Sequence, residues 1–201
     1  AGSLSLSEVV EAQIIPNAVF QPLGFLVFLV ASTAELNRSP FDITEAESEL
    51  VAGYMTDYSS MKFGLFYLGE FMATIASSAV IVTFYLSGWR GPSFLPIPGE
   101  FWFFAKWIGV IAIFIWFRAT FPRLRIDQIM SLAWKGLFEL SLINILVIAL
   151  TMAIWPDPTS TQLLLINWAV FIGSIYIFGK ILSPNLTGNK IDKRKVVYGL
   201  D

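Results

Sequence analysis

Apolar runs about as long as a bilayer is thick restrict the fold of this sequence more than any other feature. A hydrocarbon layer about 30 Å thick is crossed by roughly 20 residues of α-helix. About five runs approach that length, namely Ile14–Ala34, Phe63–Leu86, Phe101–Phe117, Leu137–Trp155 and Leu163–Leu182. Hydrophobic residues make up 56% of the 201 residues, which is typical of membrane proteins and not of soluble domains. The sequence therefore predicts an all-α integral membrane protein with about five transmembrane helices in a single domain, residues 1–201.

The first of these runs is the weakest. Polar residues and prolines interrupt its outer half at Pro16, Asn17, Gln21 and Pro22. Because proline lacks an amide hydrogen and clashes with the preceding turn, it breaks or kinks a helix unless it stands in the first turn. We expect either a kink or a helix that starts late in this run.

The chain contains neither cysteine nor histidine. Iron–sulfur clusters, structural zinc and haem therefore lack their usual ligands here, and we expect any redox centre to belong to a partner. Without histidine, proton transfer near neutral pH falls to Asp and Glu side chains whose environment favours the protonated form.

An acidic loop separates the first two apolar runs. Between Ala34 and Tyr58 the chain places six carboxylates and one arginine at the edge of apolar sequence. Ser39 as N-cap, Pro40 at the first helical position and Asp42 as capping acid predict a short amphipathic helix that ends near Tyr54.

Three acids of that predicted helix fall on one face. Asp42, Glu45 and Glu49 are spaced i, i+3 and i+7, whereas Glu47 points nearly opposite. Like charges beside a low-dielectric wall favour protonation of at least one of them near neutral pH, which suits a proton relay. The alternative is an ordinary solvated loop in which Asp42 only caps a helix.

Three further ionisable positions allow more than one interpretation. Glu70 lies seven residues into the second run, about 10 Å into hydrocarbon, where an acid is a functional candidate by default. Lys106 enters from the opposite face, so it either belongs to a water-linked relay or reaches back to the interface. Arg38 either pairs with Glu35 at the membrane edge or binds a ligand.

The connection after the third run is basic. Arg118, Arg123 and Arg125 fall there, and a lysine-rich and arginine-rich tail follows the fifth run. By the positive-inside rule, both basic regions and the acidic loop face the cytoplasmic or matrix side. The basic connection either contacts lipid headgroups or borders a polar cavity together with the acidic loop.

Long motifs in this sequence resemble one family closely. They are AELNRSPFDITEAESELVAGYMTDYSSMKFGLFYLGEF (Ala34–Phe71), the triplet Ser87-Gly88-Trp89 and IWFRATFPRLRIDQIM (Ile115–Met130). The resemblance, from about Pro22 to Lys135, is to the family of the H subunit, also called subunit 1, of proton-pumping NADH:quinone oxidoreductase, respiratory complex I. It implies a membrane subunit that forms part of the quinone chamber and an acidic proton path, with residues 35–62 as the chamber loop.

Matched position by position, the resemblance implies two groups of site residues. The expected quinone-chamber residues are Glu35, Arg38, Phe41, Asp42, Tyr54, Asp57, Arg118, Arg123, Arg125 and Asp127. The expected proton-path residues are Glu45, Glu47, Glu49 and Glu70.

The resemblance also implies the ligand and the partners. Quinone is the expected substrate, reduced by an iron–sulfur cluster of a neighbouring soluble subunit, with no metal or flavin on this chain. Expected partners are the soluble quinone-site and iron–sulfur subunits, small membrane subunits that lead to antiporter-like subunits, and lipid; we expect no nucleic acid. The alternatives are the equivalent subunit of a membrane-bound hydrogenase or ferredoxin-dependent complex, and a structural membrane anchor.

Two departures from the family pattern stand out. Family members begin with about three or four further transmembrane helices, so we expect this sequence to be the C-terminal part of a longer family member. The last apolar segment, residues 163–182, is expected to be an additional helix found in some lineages.

Overall fold

The computed structural model describes residues 5–13, 15–42, 57–91, 98–154 and 160–186, and these residues contain helices and no strands. The helices in chain order are α1 (Leu6–Ala12), α2 (Asn17–Phe20), α3 (Pro22–Glu35), α4 (Met61–Tyr85), α5 (Gly99–Thr120), α6 (Ile126–Leu132), α7 (Phe138–Ile154) and α8 (Ser160–Leu186). A π-helical segment, Ala133–Leu137, joins α6 to α7. The predicted all-α class is confirmed.

Within the described residues, four helical stretches are long and apolar enough to cross a membrane. They are Met61–Tyr85, Gly99–Thr120, Ile126–Ile154 and Gln162–Lys180. Their outer surfaces carry large exposed apolar side chains, such as Leu65, Ile108, Ile145 and Ile172. Because a bilayer is as apolar as these side chains, such surfaces suit lipid or other membrane helices. The chain is therefore an integral membrane protein.

The first apolar run forms a shorter helix than a full span. The helix α3 begins only at Pro22, which stands in its first turn where the missing amide hydrogen is harmless. Its 14 residues extend about 21 Å at 1.5 Å per residue. The predicted late start is confirmed. The run from Ile14 to Ala34 does not form one continuous helix, because α2 ends at Phe20 and α3 begins at Pro22.

The helix α3 lies against several of the long helices. It contacts α4, α7 and α8, while α4 packs along α5. A cluster of buried apolar side chains joins the end of α3 to α4 and α5, and its members are Leu36, Ile81, Val82, Val110 and Phe114. This packing holds Leu36, the residue that follows α3, in one apolar cluster with α4 and α5.

The stretch from α6 to α7 approaches α8 closely at a glycine. A Cβ atom on Gly136, within the π-helical segment, would lie 2.5 Å from the Phe178 ring of α8. Real Cβ atoms essentially never make contacts that short, so the glycine is what allows the approach. A π-helical turn inside an α-helix displaces the residues that follow it and often occurs at functional positions.

We call the two ends of the bundle the loop end and the far end. The loop end holds the end of α3, the starts of α4 and α6 and the end of α5. The far end holds α1, α2, the end of α4 and the start of α5. At the far end α4 terminates with Ser87 and Gly88 in left-handed backbone conformation, at φ of 57° and 49°.

Candidate functional site

A buried ion pair joins Arg38, at the start of the acidic loop, to Glu70 on α4. Arg38 Nη2 lies 3.0 Å from Glu70 Oε1, and the two side chains are 10% and 16% exposed. Glu70 is nine residues past Met61, about 14 Å along the helix from its start. An acid at that depth requires a partner, because an isolated carboxylate in a low-dielectric region is costly. Arg38 supplies that partner.

Local spacing along the chain suggested Glu35 as the partner of Arg38, but Arg38 has a different partner. Glu35 is exposed on the last turn of α3, and the ion pair of Arg38 is made with Glu70 instead. The interpretation that Arg38 pairs with Glu35 is therefore wrong. After α3 the chain turns at Leu36 and Asn37, which adopts a positive φ of 48°, and this turn redirects Arg38 toward α4.

The residues after Arg38 form a turn and not the start of a helix. Ser39 through Phe41 adopt turn and bend conformation, and the Ser39 hydroxyl donates to the Phe121 carbonyl at 3.1 Å. Ser39 is thus not an N-cap, and the expected helix start at Pro40 is wrong. The reason is tertiary: the hydroxyl bonds a distant carbonyl instead of an amide of the following turn.

A second hydrogen bond joins the same two segments. The Leu124 amide donates to the Pro40 carbonyl at 3.1 Å, while Phe41 is buried at 8% exposure. The turn at residues 38–42 and the connection at residues 121–125 are therefore held together at the loop end. That contact places the described start of the acidic loop and the basic connection on the same side of the bundle.

The basic connection exposes its charges. Arg118 lies on the last turn of α5, and Arg123 and Arg125 follow it, all three exposed. Asp127 is exposed in the first turn of α6, and the Arg125 amide donates to the Gln128 side chain at 3.1 Å. The remaining expected chamber residues of the described chain are Asp42, which is half-buried, and Asp57, which is exposed.

Four predicted site residues lie outside the described residues. They are Glu45, Glu47, Glu49 and Tyr54, so the short amphipathic helix expected to carry them also lies there.

A polar stripe along α4 continues from Glu70, and the sequence reasoning missed it. Thr74 and Ser78 follow at intervals of four residues and are 7% and 0% exposed. The Thr74 hydroxyl donates to the Glu70 carbonyl at 3.0 Å, and the Ser78 hydroxyl donates to the Thr74 carbonyl at 2.7 Å. The spacing i, i+4, i+8 in an apolar helix is the signal that could have found them.

The Lys106 side chain makes hydrogen bonds at the far end. Its ammonium donates to the carbonyls of Leu86 at 2.6 Å and of Gly88 at 3.1 Å, and also to that of Arg90. These carbonyls follow the C-terminus of α4, where the helix dipole favours a positive charge. Of the two interpretations of Lys106, this arrangement supports the one in which the side chain reaches the interface.

Gln13 and Arg90 make further hydrogen bonds at the far end. Gln13 is buried at 4% exposure and donates to the carbonyls of Thr83 and Phe84 at 3.1 and 3.0 Å. Its side-chain oxygen accepts from the Ser87 amide at 3.1 Å. Arg90 Nη1 donates to the Gln13 carbonyl at 2.9 Å. At the far end, the side chains of Gln13, Arg90 and Lys106 therefore form hydrogen bonds with backbone carbonyls and amides. The loop end instead carries the buried ion pair.

Taken together, helices long enough to span a bilayer and an acid–base pair buried among them define an integral membrane protein with ionisable groups inside its helical bundle. A family model described as "NADH dehydrogenase" matches residues 1–149. The chain belongs to this family.

Curated relatives agree with the family match. A protein from Dehalococcoides mccartyi (strain CBDB1), named as the H subunit of NADH-quinone oxidoreductase, is 50% identical over 179 residues, 89% of this chain and 50% of that protein. Proteins of the same name from Geobacillus kaustophilus and Syntrophotalea carbinolica are 49% and 50% identical, over 76% and 74% of this chain and 46% and 44% of their own lengths. The chain spans about half the length of the curated relatives it matches.

Proposed function

We propose that this chain forms part of the H subunit, a membrane subunit, of a proton-pumping NADH:quinone oxidoreductase. In this proposal it contributes a wall of the quinone chamber and the carboxylates that couple quinone reduction to proton translocation. The observation that carries the proposal is the buried Arg38–Glu70 ion pair, which connects the acidic loop to the interior of α4.

The ion pair suits electrostatic coupling because both side chains are largely removed from water. Opposite charges in a low-dielectric environment interact more strongly than at a solvated surface. A change of charge near the loop end then alters the balance between Arg38 and Glu70. We infer that quinone reduction supplies that change, first through the carboxylates of residues 42–49 and then through Glu70.

The polar stripe below Glu70 suits the next step. Thr74 and Ser78 carry buried hydroxyl groups on the same face of α4. Each hydroxyl donates a hydrogen bond to a backbone carbonyl of its own helix. A hydroxyl that needs no other donor or acceptor for its stability can exchange hydrogen bonds with water. In the proposal, these residues continue the polar path from Glu70 along α4 and through the middle of the membrane.

The loop end also supports an orientation and partners for the proposal. The exposed arginines Arg118, Arg123 and Arg125 cluster there, and by the positive-inside rule this supports an orientation with the loop end on the cytoplasmic or matrix side. We propose that the soluble quinone-site and iron–sulfur subunits dock at this end. Quinone enters from the bilayer, and small membrane subunits carry the coupling onward to antiporter-like subunits.

The test compares two carboxylates of this chain in the full-length protein within its assembled complex. Glu70→Gln should abolish most quinone reduction coupled to proton movement and leave the reduction of an artificial acceptor by the soluble arm intact. Glu100→Gln, an exposed acid at the start of α5, is the matched control and should change neither. Equal loss of both reactions in Glu70→Gln, or loss of neither, contradicts the proposal.

A further inference from the structure

Phe71 follows Glu70 on α4 and contacts the cation of the ion pair. The guanidinium carbon of Arg38 lies 5.2 Å from the centroid of the Phe71 ring. The ring is 51% exposed, so it is not fixed as a packed core residue. An aromatic face attracts a cation within about 6 Å through its quadrupole, and more strongly when the cation is desolvated. The geometry of this ring and the guanidinium therefore fits a cation–π contact.

The guanidinium has few other restraints. Its ion pair brings Nη2 to 3.0 Å from a single carboxylate oxygen, and both Nη2 and Nε are buried without a hydrogen bond among the described residues. A guanidinium held through one nitrogen can still rotate about that contact. A ring against its flat face removes this freedom, because arginine stacks on aromatic faces while its edge donates to a carboxylate.

We propose that Phe71 is a positioning residue whose ring face holds the Arg38 guanidinium against Glu70. Arg38 lies three residues beyond the end of α3, close to the loop end, and its long side chain can extend toward water when nothing retains it. Without the ring, the guanidinium spends more time away from Glu70 and the carboxylate loses its partner. The consequence for proton coupling rests on the proposed function, whereas the geometric role does not.

Four variants of the full-length protein, each in its assembled complex, test the contribution of the aromatic ring of Phe71. Phe71→Leu removes the aromatic face and keeps an apolar side chain, while Phe71→Tyr and Phe71→Trp keep the face. Phe84→Leu is the matched control, since Phe84 lies on the same helix, is 38% exposed and has no cation over its ring among the described contacts.

The first readout is the labelling of arginines by phenylglyoxal, measured at each site by mass spectrometry. Arg90 is exposed at the far end, away from the proposed docking surface, and serves as the internal reference. In Phe71→Leu, labelling of Arg38 relative to the reference should rise about threefold to tenfold, a range between those of an exposed and of a fully desolvated cation–π contact, because the ring is 51% exposed. The tyrosine, tryptophan and Phe84→Leu variants should stay near wild type. Unchanged labelling in Phe71→Leu, or an equal rise in all four variants, overturns the inference.

The second readout is coupled quinone reduction. Phe71→Leu should reduce it, and tyrosine or tryptophan at the same position should restore it. When Glu70→Gln impairs coupling but Phe71→Leu does not, the positioning role fails and the proposed function stands. When Glu70→Gln has no effect while Phe71→Leu raises Arg38 labelling, the proposed function fails and the positioning role stands.

Discussion

The Ser39 hydroxyl donates a hydrogen bond to the Phe121 carbonyl, 82 residues further along the chain. The Leu124 amide, in the same connection, donates to the Pro40 carbonyl. Two hydrogen bonds thus hold the turn that carries Arg38 against the connection between α5 and α6. Residues 38–42, at the start of the acidic loop, and residues 121–125 therefore form one unit at the loop end.

Ser39→Ala should loosen that unit locally. Loss of one such hydrogen bond costs about 1 kcal/mol, which corresponds to roughly a fivefold change in a local opening equilibrium. Hydrogen exchange of peptides covering residues 121–125 should therefore become faster by about that factor. The control is Ser59→Ala, an exposed serine for which no hydrogen bond is described. Unchanged exchange at residues 121–125 contradicts the role of Ser39.

Removing one member of the buried ion pair should harm assembly more than removing both. Arg38→Met leaves the Glu70 carboxylate buried without its partner, a loss on the order of 3–5 kcal/mol for buried pairs. The double variant Arg38→Met with Glu70→Gln leaves no unpaired charge. We expect the amount of assembled complex to fall in the single variant and largely recover in the double variant, measured by native gel electrophoresis. Coupled activity should stay low in both. An additive loss of assembly in the double variant would show that the pair does not act as a unit.

Lys106→Met should lower stability without a specific effect on coupling. Its ammonium satisfies carbonyls beyond the end of α4, and hydrogen bonds from a charged donor contribute about 1.5–3 kcal/mol where they are shielded from water. Because Lys106 is half-buried, we expect the lower part of that range.

The measurement is the thermal midpoint of the purified complex, and Lys62→Met is the control. Lys62 is exposed in the first turn of α4, and no ion pair or hydrogen bond is described for it. Activity per folded complex should remain near wild type in both variants. A large loss of coupling in Lys106→Met at unchanged thermal midpoint would instead favour the relay interpretation.

Gly136→Ala should destabilise the contact between the π-helical segment and α8. The added Cβ would lie 2.5 Å from the Phe178 ring, so the ring must move, and overpacking of this kind costs about 1–3 kcal/mol. Phe178→Leu in the same chain should recover most of the lost thermal stability by making room. Gly109→Ala is the control, since a Cβ at Gly109 meets nothing within 4 Å. Equal effects of both alanine substitutions would argue against a steric origin.

Glu47→Gln tests the acidic run that lies outside the described residues. The family resemblance places Glu47 in the proton path. The substitution should impair coupled quinone reduction and leave the reduction of artificial acceptors by the soluble arm intact. Retained coupling after neutralising Glu45, Glu49 and Glu70 together would favour a purely structural membrane anchor.

Length and apolar character were readable from the sequence because they are local properties. A run of apolar residues long enough to cross a bilayer must satisfy its backbone hydrogen bonds within itself, so it forms a helix wherever it packs. The same local reasoning predicted either a kink or a late start in the first apolar run, and α3 begins late, at Pro22. The family could also be identified from the sequence, because its motifs around Arg38 and Arg123 are long.

Only the tertiary structure decided which polar groups meet. Local spacing placed Arg38 beside Glu35 and made Ser39 an N-cap, yet Arg38 pairs with Glu70 and Ser39 bonds to Phe121. Such pairings depend on how far each helix is rotated and where its neighbour lies, and both are set by the packing of apolar faces between distant segments. The sequence by itself located the four long apolar helices of the described residues and the charged residues within and beside them, while the packing of α3, α4 and α5 determined that Arg38 pairs with Glu70.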